Sequence, residues 1–205
     1  MSTGQQFVNI NNSPKKLSKD DINTLPLFHY SGPVTIVRTS EELEEAVTYL
    51  REEPVLGFDT ETRPSFVKGK SYSPSLVQLA TRDNIFLFQL KWLPLDSQLT
   101  DILADASVIK TGVAVHDDMH FLEKLHPFTP ASVIDLAEVA RKNNIENQSL
   151  RALAACFLGF RISKGEQCSN WASKDLSPRQ IRYAATDAWA SLAIYLRMRE
   201  LGLVA

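Results

Sequence analysis

An unbroken apolar run, Val55-Leu56-Gly57-Phe58, ends in two acids, Asp59 and Glu61, with only Thr60 between them. Consecutive apolar residues leave no polar side to turn toward water, and the run is too short for a buried helix, so it reads as a buried central strand. Alternate residues of a strand share a face, so Asp59 and Glu61 point together while Thr60 points the other way. Two carboxylates side by side at the end of a core strand repel each other. Either that strand end is solvated, or a cation offsets the repulsion, because hard divalent ions take oxygen ligands.

The rest of the chain supplies partners for this strand. Residues 34–37 form a short strand; Thr39 and Glu42 make a capping box, and Leu43, Ala46, Val47 and Leu50 recur at helical spacing before Pro54. Residues 75–80 and 84–89 are two strands around the polar turn Thr81-Arg82-Asp83, hence an antiparallel hairpin. A helix near 96–103, a strand at 108–112, a helix at 116–125 and a short strand at 133–134 follow. Helices are then expected at 136–142 and 150–158, the second stopped by Gly159. Ser177 caps the last helix, with Pro178 at its first position and Gln180 three residues beyond the cap. Ile181, Ala184, Ala188, Leu192 and Leu196 carry that helix to about Glu200. A meander of strands followed by alternating strands and helices indicates an α/β fold, a single domain with a mixed central sheet flanked by helices. Residues 1–30 are polar and aperiodic and read as a poorly ordered lead-in or a surface strap, leaving 31–205 as the folded domain.

A length of 205 residues suits one domain. A net charge of −2 lacks the basic footprint of a tight nucleic-acid binder. It speaks less against catalysis on nucleic acid, because a carboxylate site itself pulls the total toward acid. The first residues lack a charged-then-apolar leader, no run is long enough to span a bilayer, and Cys156 and Cys168 show no metal or redox spacing. A cytoplasmic location is the expectation.

Two further positions carry chemistry. Tyr183 and Asp187 lie one turn apart on the last helix, among the small residues Ala184, Ala185, Ala188 and Ala190. Small side chains let a helix approach a sheet closely, and an acid in such a stretch is costly unless partnered, by the tyrosine or by a cation. Asp118 stands near a helix N-terminus, where a carboxylate is favoured, and shares the expected buried face of Phe121, Leu122 and Leu125. Asp117 is turned about 100° away.

Taken in order, Asp59-Thr60-Glu61, then Gly112-Val113-Ala114-Val115-His116-Asp117-Asp118-Met119-His120-Phe121-Leu122, then Tyr183-Ala184-Ala185-Thr186-Asp187-Ala188 resemble the three exonuclease motifs of the DEDD superfamily. The set looks like the branch containing ribonuclease D and the Werner-type exonuclease domain, and Cys168-Ser169-Asn170-Trp171 is similar to Werner-type sequences too. Arg182 stands where the related histidine branch carries its histidine, and Tyr183 follows, which fits the tyrosine branch. The resemblance implies a ribonuclease-H-like fold and a 3′→5′ exonuclease using two divalent ions, magnesium or manganese, on the 3′ end of RNA or DNA. It implies that Asp59, Glu61 and Asp187 hold one ion, that Asp59 bridges to a second supported by Asp118 through water, and that Tyr183 orients the attacking water. Thr60, His116, Asn170 and Arg182 are the candidate substrate contacts, with Lys68, Lys70, Lys110, Arg161, Lys164 and Lys174 as further cations near the motifs. Neither a membrane nor an obligate protein partner is implied. The chain ends at Ala205, without the additional helical nucleic-acid-binding domains of ribonuclease D relatives, so weak, distributive binding is expected.

Other readings have less behind them. His116 and His120 are spaced as zinc ligands on a helix can be, but no third ligand pattern accompanies them. Gly69-Lys70-Ser71 resembles the end of a phosphate loop, but Pro64 occupies the place of its first glycine. A Gly-x-Gly-x-x-Gly fingerprint is absent. The main alternative is a non-catalytic module of the same fold that binds nucleic acid or protein; such a chain would be expected to have lost an acid or the tyrosine, and all five are present.

Overall fold

The computed structural model describes residues 16–65 and 72–204. A six-stranded sheet runs through it, built from β1 (Val34–Val37), β2 (Val55–Glu61), β3 (Leu76–Ala80), β4 (Ile85–Gln89), β5 (Ile109–Gly112) and β6 (Val133–Asp135) in the order β1-β4-β3-β2-β5-β6. β2, β3 and β4 form the antiparallel meander, and β5 and β6 add in parallel beside β2. β1 closes the other edge, parallel to β4. The helices are α1 (Lys19–Thr24), α2 (Ser40–Leu50), α3 (Ser97–Ala104), α4 (Val115–Glu123), α5 (Leu136–Lys142), α6 (Leu150–Leu158) and α7 (Pro178–Glu200).

Each face of the sheet has its own core. Leu56 and Phe58 of β2 pack with residues of α2, α3 and α4 on one side. On the other, Leu76, Ala80, Ile85 and Leu87 pack with α5, α6 and α7. This two-sided covering explains the unbroken apolar run in β2. Gly57 lets α7 lie directly on β2: a Cβ at that position would stand 2.1 Å from the Ala188 carbonyl oxygen. Gly159 ends α6 in the left-handed region at φ 75°, as its position after the helix requires. The capping boxes of α2 and α7 form as expected, with Thr39 and Glu42 at one and Ser177 and Gln180 at the other.

Two details differ from the sequence reading. Part of the 1–30 segment is structured: α1 carries its own capping box through Ser18 and Asp21, Phe28 stacks on Phe160 and Trp189, and the Tyr30 amide donates to Thr186 Oγ1. A six-residue helix has too few turns for periodicity to reveal it. The buried face of α4 is Val115, Met119 and Leu122, whereas Phe121 is half-buried and Leu125 is exposed. The helix starts earlier than its apolar spacing suggested, and Leu125 lies beyond its end. Among the described residues no helix is long and apolar enough to cross a membrane.

Candidate active site

The carboxylates meet at one end of the sheet. Gly57, Asp59 and Glu61 share the face of β2 covered by α7, so both acids turn toward Asp187. One carboxylate oxygen from each of Asp59, Glu61 and Asp187 lies within 4.8 Å of the others. An ion holding oxygens at about 2.0–2.6 Å spans such separations. Glu61 and Asp187 are buried, at 8% and 6% exposure, and Asp187 Oδ1 has no hydrogen-bond partner among the described residues. A buried carboxylate oxygen left unpaired is costly, so the arrangement calls for a positive ligand.

Asp118 reaches the cluster from the opposite layer. Thr60 faces α4, and its hydroxyl donates to Asp118 Oδ1 at 2.8 Å. Asp118 is therefore aimed over the end of β2 and stands outside the group of three acids. Asp117 is exposed, as the helix geometry predicts. The Thr60 hydroxyl proton, expected to face substrate, is committed to Asp118.

The electrostatics of the site follow from burial. Burial pushes Asp59 well above the usual carboxylate range, with the charges of Asp187 and Asp118 adding to it; the Thr60 amide, 2.9 Å from Asp59 Oδ1, opposes the shift in part. Burial also raises Glu61, helped by Asp59, Asp187, Asp118 and Cys168. Asp187 moves up through burial, partly relieved by the Tyr183 hydroxyl. Asp118 rises to about 6 through burial, against the Thr60 hydrogen bond, with Asp117 and Asp135 contributing. The Tyr183 phenol is raised far beyond its ordinary value by burial and by the neighbouring Asp187, Glu61 and Asp59 charges, so it keeps its proton. Trp171, fully buried, backs the tyrosine with ring centroids 5.9 Å apart.

The acids open into a pocket of about 300 Å³ whose walls include Thr60, Ser149, Arg151, Ser163, Lys164 and Ser191. Most of these were not evident in the sequence. Ser191 could have been found, since Tyr183, Asp187 and Ser191 follow one another at intervals of four on α7. Arg151 and Ser163 come from other elements and carry no local signal. Gln78, directly opposite Asp59 on β3, is fully buried with neither amide atom paired among the described residues.

Of the other expected substrate contacts, Arg182 is exposed in an adjoining cleft with His29, Arg179 and Tyr183. His116 and Asn170 are exposed and do not line the acidic pocket. Lys110 is no phosphate contact: it is buried, and its Nζ donates to the carbonyls of Asp105 and Val108 at 2.7 Å each. Arg161 Nε donates to the Leu25 carbonyl and fastens the N-terminal strap. Lys68, Lys70 and the Gly69-Lys70-Ser71 stretch lie outside the described residues.

Comparison with known proteins agrees with this geometry. Mouse exonuclease 3′-5′ domain-containing protein 2 is 34% identical over 181 residues, covering 80% of this chain and 28% of the relative. The mouse bifunctional 3′-5′ exonuclease/ATP-dependent helicase WRN is 29% identical over 190 residues, covering 88% of this chain and 14% of that protein. The chain thus spans less than a third of either relative. The crystal structure of Escherichia coli RNase D shares the fold, with a TM-score of 0.72 at 23% identity over 83% of this chain and 46% of that one. The ribonuclease-H-like sheet, its acidic end and these likenesses converge with the 3′-5′ exonuclease family model, which matches residues 34–202, and the chain belongs to that family, in its ribonuclease D and Werner-type lineage.

Proposed function

We propose that this chain is a 3′→5′ exonuclease of the tyrosine branch, removing nucleoside 5′-monophosphates from nucleic-acid 3′ ends with two divalent ions, magnesium or manganese. The observation that carries the proposal is the oxygen-only group Asp59, Glu61 and Asp187, with one buried Asp187 oxygen lacking any partner among the described residues. The family implies dependence on divalent metal, and this donor set suits a hard cation. Asp59, Glu61 and Asp187 would hold one ion, and Asp59 would also reach a second that Asp118 supports through water. Such a pair supplies Lewis acidity toward the attacking water and the leaving oxygen of an in-line displacement.

The chain's own groups do the positioning. Tyr183 keeps its proton, so it acts as a hydrogen-bonding group that orients the attacking water rather than as a base. Thr60 fixes the direction of Asp118. Lys164 and Arg151, on the pocket wall, and Arg182, in the adjoining cleft, would meet phosphate oxygens. His116 and Asn170 would act only on parts of the strand outside the pocket. A cytoplasmic location and independence from any protein partner belong to the same reading.

The test is digestion of end-labelled single-stranded DNA, single-stranded RNA and recessed duplexes with magnesium, manganese or excess EDTA. Shortening from the 3′ end that EDTA abolishes is the expected result. Activity that survives EDTA, or shortening from the 5′ end, contradicts the proposal. Binding without cleavage of any substrate would establish the non-catalytic module instead.

A further inference from the structure

The site continues along the end of the sheet. The Ser75 amide donates to the Glu61 carbonyl at 2.8 Å, and the Leu90 amide donates to the Ser75 carbonyl at 3.0 Å. A chain of two hydrogen bonds thus leads from a catalytic-site strand to the segment after β4. A groove of about 460 Å³ opens there, lined by Ser75, Leu90, Lys91, Leu125 and Ala172. Ala172, on the groove wall, follows Trp171, whose ring packs against that of Tyr183. Next to it stands Trp92, 41% exposed, with its Nε1 donating to the Lys174 carbonyl at 3.0 Å. Lys91 Nζ lies 6.0 Å and Lys174 Nζ 5.6 Å from the centroid of its ring. Among the described residues neither lysine is in an ion pair, and the nearby Asp175 already faces Arg38 at 3.7 Å.

An exposed indole flanked by two unneutralised ammonium groups, beside an apolar groove whose Ser75 is hydrogen-bonded to the Glu61 backbone, has the chemistry of a single-strand binding platform. Bases stack on the ring without regard to sequence, apolar walls receive sugars and base faces, and lysines meet phosphates. We infer that Trp92, Lys91 and Lys174 hold the single-stranded segment upstream of the 3′ end while its terminal nucleotide occupies the carboxylate pocket. The inference rests on the exonuclease reading above and specifies which part of the substrate this surface grips. The occupant is a polynucleotide rather than a protein helix because both charged groups at the ring are cations, matching a polyanion.

The experiment compares kcat/KM on a dinucleotide and on long single strands for the wild-type chain, Trp92→Ala, Trp92→Phe and the double variant Lys91→Ala/Lys174→Ala. The expected result is that Trp92→Ala lowers kcat/KM on long strands by about 5- to 150-fold, the loss of one stacked base, and leaves the dinucleotide rate unchanged. Trp92→Phe, which keeps a ring, should retain most of the long-strand advantage. The lysine variant alters only side chains at the surface, so it reports even if Trp92→Ala unfolds. It should flatten the slope of log kcat/KM against log salt by about 1.4, two phosphate contacts at ~0.7 each. Hydrolysis by all variants with the wild-type dependence on length and salt overturns the platform while leaving the exonuclease reading intact, and would redirect the surface to a protein partner. Failure of the wild-type chain to hydrolyse any of these substrates overturns both.

Discussion

Adding one methyl group at Gly57 tests the geometry that brings the carboxylates together. A Cβ there would stand 2.1 Å from the Ala188 carbonyl oxygen, 2.8 Å from the Leu192 amide nitrogen and 2.9 Å from Leu192 Cβ. Ordinary contact begins near 3.4 Å, so β2 and α7 must separate by roughly 1.3 Å. Two of the three close atoms are backbone, so no side-chain rotation relieves the clash. Overpacking of this kind costs about 1–3 kcal/mol. For a chain of this size that lowers Tm by roughly 2–12 °C. The catalytic consequence should be larger. Asp187 immediately precedes Ala188 on the displaced helix, while Asp59 follows Gly57 by two residues on the strand it is displaced from. A misplacement near 1 Å can cost about 10² in rate. Gly57→Ala should therefore remain folded at low temperature and lose at least about 10²-fold in kcat on an end-labelled single strand at saturating metal. Circular dichroism melting and single-turnover cleavage, run on the same preparation, measure both effects. A variant with wild-type kcat would show that the contact between β2 and α7 does not set the spacing of the acids.

The remaining predictions concern individual groups. Tyr183→Phe should lower kcat by about 10²–10⁴ with little change in KM if its hydroxyl orients the attacking water as proposed, because the ring and its contact with Trp171 remain; a wild-type rate would reduce Tyr183 to a packing residue. Asp118→Asn should cost at least about 10² in rate, whereas the exposed Asp117→Asn should stay within several-fold of wild type; the reverse order would refute the assignment of Asp118. Stability should also report on the acids. Carboxyls raised above their unfolded values bind more protons folded than unfolded, so the metal-free protein loses stability as pH rises from about 4, through about 6 for Asp118, to the higher folded values of its neighbours. Metal-free Tm should fall between pH 5 and 8, and magnesium should raise Tm more at pH 8 than at pH 5; equal magnesium effects at both would place the ion elsewhere.

Much of this architecture is written locally. The strand β2, the hairpin β3–β4 and the long helix α7 each carry their own signal, in an apolar run, a polar turn or a capping box, because those effects act within a few residues. The acids were likewise legible: Asp59 and Glu61 by strand alternation, Tyr183 and Asp187 by one helical turn, Asp118 over Asp117 by helix rotation. The helix α1 was not, since its register is held by distant partners such as Asn147, whose side chain bonds both the amide and carbonyl of Leu17. Lys110 looked like a surface cation because sequence does not show that β5 buries it between neighbours with its ammonium tied to two carbonyls. The pocket wall of Ser149, Arg151 and Ser163, and the hydrogen-bonded link from Glu61 through Ser75 to Leu90, arise from segments far apart in the chain. Sequence alone determined which residues bear the charge and on which side of their own strand or helix they lie, since that follows from backbone periodicity. Only the tertiary structure decided that Asp118 arrives through Thr60 from the opposite layer and that an Asp187 oxygen is buried without a partner among the described residues, because both depend on how close the packed layers come.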